Sequence, residues 1–176
     1  MSFEHELLAM DLSLSSPGFA VMALHEGKPI VLDSRVVTTN AKATHGARLA
    51  EISDEIEVLL WTYTPSHIVR EKGFSRFPTV TQTLFKVVGI ADYNVYDYSK
   101  MYGVDEPVHE IAVTSVKKAV TGNGKATKEQ VADAVFKRLQ IENTGEYHTK
   151  SGKLIDDKTD ALAVGLAYYI EKGLIE

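Results

Sequence analysis

The most apolar stretch of the chain, Ala161 to Ile170, is entered through two aspartates three residues apart, Asp157 and Asp160. A helix over about Asp157 to Lys172 would carry both carboxylates on one side of its start. Such a pair is costly to desolvate unless cations offset it. Asp157 would also make a good N-cap, with Asp160 in the first turn where the macrodipole favours anions, and that reading needs no chemistry. It leaves unexplained a second pair of acids, Asp11 and Glu71, which finish or interrupt buried strand patterns elsewhere in the chain.

Those strand patterns place the acids. Leu7 to Leu12 reads as a buried strand, followed by a Ser-rich turn ending at Pro17-Gly18. Phe19 to Leu24 and Pro29 to Val37 read as its antiparallel partners, joined through Glu26-Gly27. Thr44 to Trp61 carries Leu49, Ile52, Ile56, Leu59 and Leu60 at helical spacing, and Thr64-Pro65 ends it. His67 to Glu71 is a fourth strand. A long helix follows from about Thr79 to Tyr98 or Tyr102, then a fifth strand over Val108 to Val113. Short helices are expected over Ser115 to Val120 and Thr127 to Leu139, with a polar hairpin or loose loop from Thr144 to Lys153. The order predicts an α/β fold: a mixed five-stranded sheet, three strands antiparallel and the later ones parallel to the first, flanked by helices.

With 176 residues and 44% hydrophobic composition, one domain spanning 1–176 is expected. The absence of cysteine removes disulfides, thiolate metal sites and a cysteine nucleophile, and fits a cytoplasmic setting. The N-terminus lacks the basic and apolar segments of a secretory signal. The longest apolar run is about half of the ~20 residues that a membrane span needs. A formal net charge of −5 argues at first against nucleic acid. Bound divalent ions would cancel much of an acidic cluster, however, so the distribution of lysines matters more.

Asp11 could simply cap the Ser13–Ser16 turn, and Glu71 could pair with Arg70 or Lys72 on the surface. Parallel strands of one sheet nevertheless bring their carboxyl ends to a common crevice. Convergence of Asp11, Glu71, Asp157 and Asp160 there would make an all-oxygen site suited to Mg²⁺ or Mn²⁺. Two such ions about 3.5–4 Å apart suit phosphodiester hydrolysis, with no nucleophilic side chain needed. Lys117, Lys118, Lys125 and Lys128 cluster around Gly122-Asn123-Gly124. Lysines on a surface helix usually serve solubility. Lys128 stands out, because a capping box of Thr127 with Gln130 would place it at the positive end of a helix dipole, where a nearby anion must compensate it.

These pieces together resemble the RuvC family of Holliday-junction resolvases, within the RNase H-like superfamily. "LAMDLSLSSPGFAVM" (8–22) looks like the family's first hairpin, and "VREKGF" (69–74) like its second-carboxylate motif. "VKKAVTGNGKATKEQV" (116–131) is similar to its lysine-bearing segment, and "DDKTDALAVGLAYY" (156–169) to its closing D-x-x-D-A-L-A helix. The resemblance implies a Mg²⁺-dependent crossover junction endodeoxyribonuclease, with Mn²⁺ able to substitute, acting in DNA recombination, repair or phage DNA processing. Asp11, Glu71, Asp157 and Asp160 would be its metal-binding catalytic carboxylates, served by two ions, with Lys128 as a catalytic lysine. Lys117, Lys118, Lys125, Lys128, Phe74 and Arg76 would face DNA, Phe77 being an alternative to Phe74. A homodimer would form through the helix starting near Thr79, whose stripe of Val80, Leu84, Val87, Ala91 and Val95 is widened by Phe85, Val88 and the tyrosines, either into two apolar faces that serve a core and a partner or into a single broad core face. The implied partner is branched DNA, with no membrane and no nucleotide cofactor.

Two departures narrow the expectation. Many cellular members have Asp-Pro-Gly after the first strand, whereas this chain has Asp-Leu-Ser, closer to viral-type sequences. The segment 143–153, with His148 as an accessory group or an ordinary loop residue, looks like an insertion. Rival readings are a broader flap or branched-DNA nuclease, a non-catalytic branched-DNA-binding protein, and an actin-like phosphotransferase. The last would need a second half that one short domain lacks.

Overall fold

The structure, a computed structural model, describes residues 3–73, 77–103, 108–142 and 144–176. Phe74 and Arg76 lie outside the described residues. The chain runs β1 (Glu4–Asp11), β2 (Gly18–His25), β3 (Lys28–Val36), α1 (His45–Tyr63), β4 (His67–Lys72), α2 (Pro78–Tyr102), β5 (His109–Ala112), α3 (Val113–Thr121), α4 (Lys128–Arg138) and α5 (Asp156–Glu171). The sheet order is β3-β2-β1-β4-β5. The first three strands pair antiparallel, and β4 and β5 run parallel to β1, as expected.

Glu26 and Gly27 both have left-handed backbones, φ 51° and 74°, the geometry of a two-residue hairpin turn whose twist matches its strands. α1 starts where the Thr44 hydroxyl accepts the Ala47 N–H, and stops at Thr64, whose φ of 44° precedes Pro65. β1 starts at Glu4 rather than Leu7, because a register shift between Glu4 and Leu7 lets a bulged segment extend the pairing. β5 is shorter than expected because Val113 opens α3. The 144–153 stretch forms a 3₁₀ turn at Gly145–Tyr147 and one bridge between His148 and Leu154.

β1 is buried on both faces, which explains its unbroken apolar run. Its alternation sends Leu7 and Ala9 to one side and Leu8 and Met10 to the other. On the first side they pack with Ala20, Met22 and Val69 against α3, α4 and α5. On the second they meet Phe19, Val21 and Ile68 beneath α1 and α2. α5 is buried from Ala161 through Tyr169, since the sheet covers one side of it and α3 and α4 cover the other. Among the described residues, no helix is long and apolar enough to cross a membrane.

The α2 stripe needs correction at its start. Val87, Ala91 and Val95 are buried, together with Asn94 and Tyr98, but Val80 is 52% exposed. The first turn of α2 overhangs the β1–β2 loop, where Val80 borders an open recess with Leu12 and Leu14, while Leu84 packs partly buried against the core. Asn94 is tolerated in the core because its amide donates to the Ser53 carbonyl and hydroxyl, at 3.1 and 2.9 Å.

Gly165 marks the closest approach of α5 to the sheet. A Cβ there would collide with the Met22 sulfur and lie 3.3 Å from the Ala9 Cβ. Gly165→Ala is therefore expected to destabilise the fold by about 1–3 kcal/mol, the cost of overpacking a filled core. A denaturant midpoint that did not move would show that Met22 yields freely.

Candidate active site

Three elements deliver the four acids to one end of the sheet. β1 terminates at Asp11, and Glu71 lies one residue beyond the last registered pair of β1 with β4, Met10 with Arg70. The first turn of α5 closes over the start of β2. It can do so because residue 18 is glycine: a Cβ at Gly18 would run into the carbonyl of Asp157. Across the same contact the Ser16 hydroxyl donates to the Asp157 carboxylate at 2.8 Å. Asp157 is therefore not the helix cap. The cap position falls two residues earlier, at Ile155, which makes no side-chain bond, and the Asp157 carboxylate is turned toward Ser16. Ser16 was legible only as part of a Ser-rich turn, since nothing local reveals a partner 141 positions away.

Glu71 does not form the surface ion pair with Arg70 that was its alternative reading. Alternation along β4 sends Arg70 to the other face, where it binds Asp92 of α2 at 2.6 Å and Glu110 of β5 at 2.7 Å. Glu71 is left facing the acids.

The electrostatics show that these acids share one field. Asp11 keeps some contact with solvent. Even so, the protein packed around it, followed by the charges of Glu71, Asp160 and Asp157, pushes its carboxyl up to about 8. Burial and then the charge of Asp160 bring Glu71 to about 7, against opposing pulls from Lys128 and Lys117. Asp160 is also raised, chiefly by burial, although Lys128 pulls it down. The cluster carries more negative charge than the nearby cations neutralise. Among the described residues, no three Asp, Glu or His side chains form a ready-made metal cage. Asp160 and Asp157 are drawn aside to Lys128 and Ser16, respectively.

Lys128 opens α4 behind the expected capping box, in which the Thr127 hydroxyl and the Gln130 side chain satisfy each other's backbone N–H. Its ammonium pairs with Asp160 at 3.1 Å and with Asp156. Burial works against that charge, but the Asp156 hydrogen bond and the Asp160 charge outweigh it and raise Lys128 above the ordinary lysine range. Asp156 was passed over in the sequence. Its signal is the i, i+4 spacing to Asp160, which puts both acids on one helix face.

The other lysines divide. Lys117 donates to the Ala126 carbonyl at 2.7 Å, pinning the loop before α4 while acting on Glu71. Lys125 is exposed in that loop. Lys118 is exposed on the flank with Ala167 and Glu171, at the far end of α5 from Asp157. Phe77 is 69% exposed at the start of α2. His148 is tied into its own loop, with Nδ1 2.8 Å from the Thr144 carbonyl oxygen.

A model of the family described as "Crossover junction endodeoxyribonuclease RuvC" matches residues 7–168, nearly the whole chain. The chain belongs to the RuvC family. A RuvC of Prochlorococcus marinus subsp. pastoris is 29% identical over 95% of this chain and 98% of its own length. One from Chlorobium chlorochromatii is 30% identical over 91% of this chain and 77% of its own. The fold is that of the Thermus thermophilus RuvC structure, with TM-score 0.76, 22% identity and 96% coverage of both chains. It is equally that of T. thermophilus RuvC in complex with Holliday junction substrate, with TM-score 0.75, 24% identity and coverage of 97% and 98%. All four motifs that carried the resemblance overlap the matched region.

The raised Asp11 carboxyl has a consequence for stability. Above the ordinary carboxylate range the unfolded chain has released the proton that the folded chain still holds, so stability falls as pH rises from about 4 toward 8. In chelator-treated protein, Asp11→Asn should remove most of that slope and stabilise the fold at pH 8 by roughly 2–5 kcal/mol. Denaturant unfolding from pH 5 to 8 measures this. A slope unchanged by the substitution would mean that Asp11 is ionised without cost.

Proposed function

We propose that this chain is a divalent-metal-dependent, structure-selective endonuclease that binds four-way DNA junctions as a two-fold dimer and nicks them symmetrically. The observation that carries the reading is the shared field of Asp11, Glu71, Asp157 and Asp160, brought from β1, β4 and α5 to one end of the sheet. Membership of a family named for crossover junction cleavage, and the likeness to a RuvC solved with Holliday junction substrate, support the choice of DNA.

The donor set fits hard divalent cations: oxygen ligands only, with repulsion among them that a cation would relieve. Mg²⁺ or Mn²⁺, two ions per site in this reading, would supply neutralisation of phosphate charge and activation of water for hydrolysis. The chain's own groups do the rest. Ser16 holds Asp157 in place, and Lys128 keeps a protonated ammonium at the edge of the cluster, where a scissile phosphate would meet it. Lys117 holds the loop bearing Lys125 against α3. We take residues 1–176 to act as one domain and place the enzyme in the cytoplasm of a bacterial or phage-infected cell.

The dimer reading rests on α2. Its inner face enters the core, while Phe85, Tyr93 and Tyr96 on the other side are each at least 60% exposed. A contiguous apolar surface of this kind marks an interaction site. A two-fold contact there would present two sites to a symmetric junction. Phe85→Glu with Tyr96→Glu should convert a dimer into a monomer by light scattering, with melting temperature changed by only a few degrees. A wild-type monomer at working concentration would sink the dimer.

For the chemistry, nicking of a synthetic four-way junction should require Mg²⁺ and stop in EDTA. Asp11→Asn, Glu71→Gln, Asp157→Asn and Asp160→Asn should each lower it by about 100-fold or more, in line with loss of a metal ligand's support of charge, while junction binding persists. Cleavage in EDTA would refute the mechanism. Equal cleavage of flaps and three-way junctions would favour the broader branched-DNA nuclease.

A further inference from the structure

Asp156 is the fifth acid at this end of the molecule, and its geometry differs from that of the other four. It stands one helical turn before Asp160 on α5, and the Lys128 ammonium bridges the two. The charges that raise Asp11 come from Glu71, Asp160 and Asp157, and those acting on Glu71 come from Asp160, Lys128 and Lys117. Asp156 is not among the main charges acting on Asp11 or Glu71; it pairs with Lys128 and adds its charge to that felt by Asp160. Its carboxylate is held firmly, bonded to Lys128 and to its own backbone N–H in the first turn of α5, where the helix dipole favours an anion.

The capping box fixes the base of Lys128 in the first turn of α4. Two carboxylates lie within ion-pair distance of its ammonium. Asp160 belongs to the cluster, and every oxygen that the ammonium occupies on it is one a divalent cation must compete for. Asp156 offers the ammonium a second partner at the edge of the cluster. We propose that Asp156 is a positioning residue that shares Lys128 with Asp160 at the rim of the acidic site, loosening the ammonium's hold on Asp160 so that a divalent cation can displace it while the ammonium stays beside the incoming phosphate. This rests on the reading above that Asp160 holds such a cation. Without Asp156, the ammonium would turn wholly to Asp160 and act as a built-in competitor.

The test is a double-mutant cycle read by cation binding rather than by turnover. Mn²⁺ titrations by calorimetry, and melting temperature against Mg²⁺ concentration, are run on the full chain, Asp156→Asn, Lys128→Met and the double variant. Asp156→Asn should weaken cation binding by about 3- to 10-fold, the size of coupling expected for groups in direct contact. Asp156→Glu should restore it. In the Lys128→Met background binding should be tighter than in the natural chain and indifferent to residue 156. Circular dichroism and melting in EDTA confirm that each variant is folded.

An Asp156→Asn effect of equal size in the Lys128→Met background would overturn the proposal, because Asp156 would then act through its own charge. Cation binding unchanged in Asp156→Asn would overturn it too. A natural chain that binds neither ion would bring down the metal reading and this inference together. That outcome is told apart by the absence of any titration in the unsubstituted protein.

Discussion

Like-charge repulsion among carboxylates that the sheet forces together is the constraint on which the rest of the structure depends. Asp11 and Glu71 end adjacent parallel strands and cannot separate without unzipping the pairing of β1 with β4. Asp160 and Asp157 arrive on a helix locked between the sheet and two other helices. The two hydrophobic layers stabilise an arrangement that the acids alone would oppose, and they keep the acids out of bulk water, where the repulsion would fade. Burial first, and then the charges of the neighbouring acids, raise the carboxyls of Asp11 and Glu71.

The surrounding side chains manage the tension. Ser16 and Lys128 each draw one aspartate outward, and Asp156 gives Lys128 a second anion. Arg70 has no part in this. It sits on the opposite face of β4, where it is nearly buried and joins Asp92 and Glu110, tying α2 and β5 to the centre of the sheet. Adjacent residues of one strand thus serve two separate ends: Arg70 ties elements together, and Glu71 joins the acidic cluster.

Much of this was legible in the sequence where local physics dominates. The hairpin at Glu26-Gly27, the capping box of α4 and the stop at Thr64-Pro65 involve residues a few positions apart, so short-range sterics and hydrogen bonding settle them. The doubly buried β1 and the apolar body of α5 were visible as unbroken apolar runs. Errors fell where long-range packing overrides the local signal. Asp157 looks like an ideal cap, yet the helix is capped two residues sooner, at Ile155, and the glycine at position 18 makes room for the Asp157 carbonyl against β2. Val80 continues a helical stripe, but the stripe runs past the edge of what it packs on.

By itself, the sequence determined the order and type of the elements and the mixed sheet, because periodicity and turn chemistry act over a few residues. Only the tertiary structure decided which groups share a field: Ser16 with Asp157, Lys128 with Asp156 and Asp160, and Arg70 with Asp92 rather than Glu71. The reason is that electrostatic and hydrogen-bonded partners are chosen by distance in space. Here those distances are set by sheet register and by the room a missing Cβ leaves.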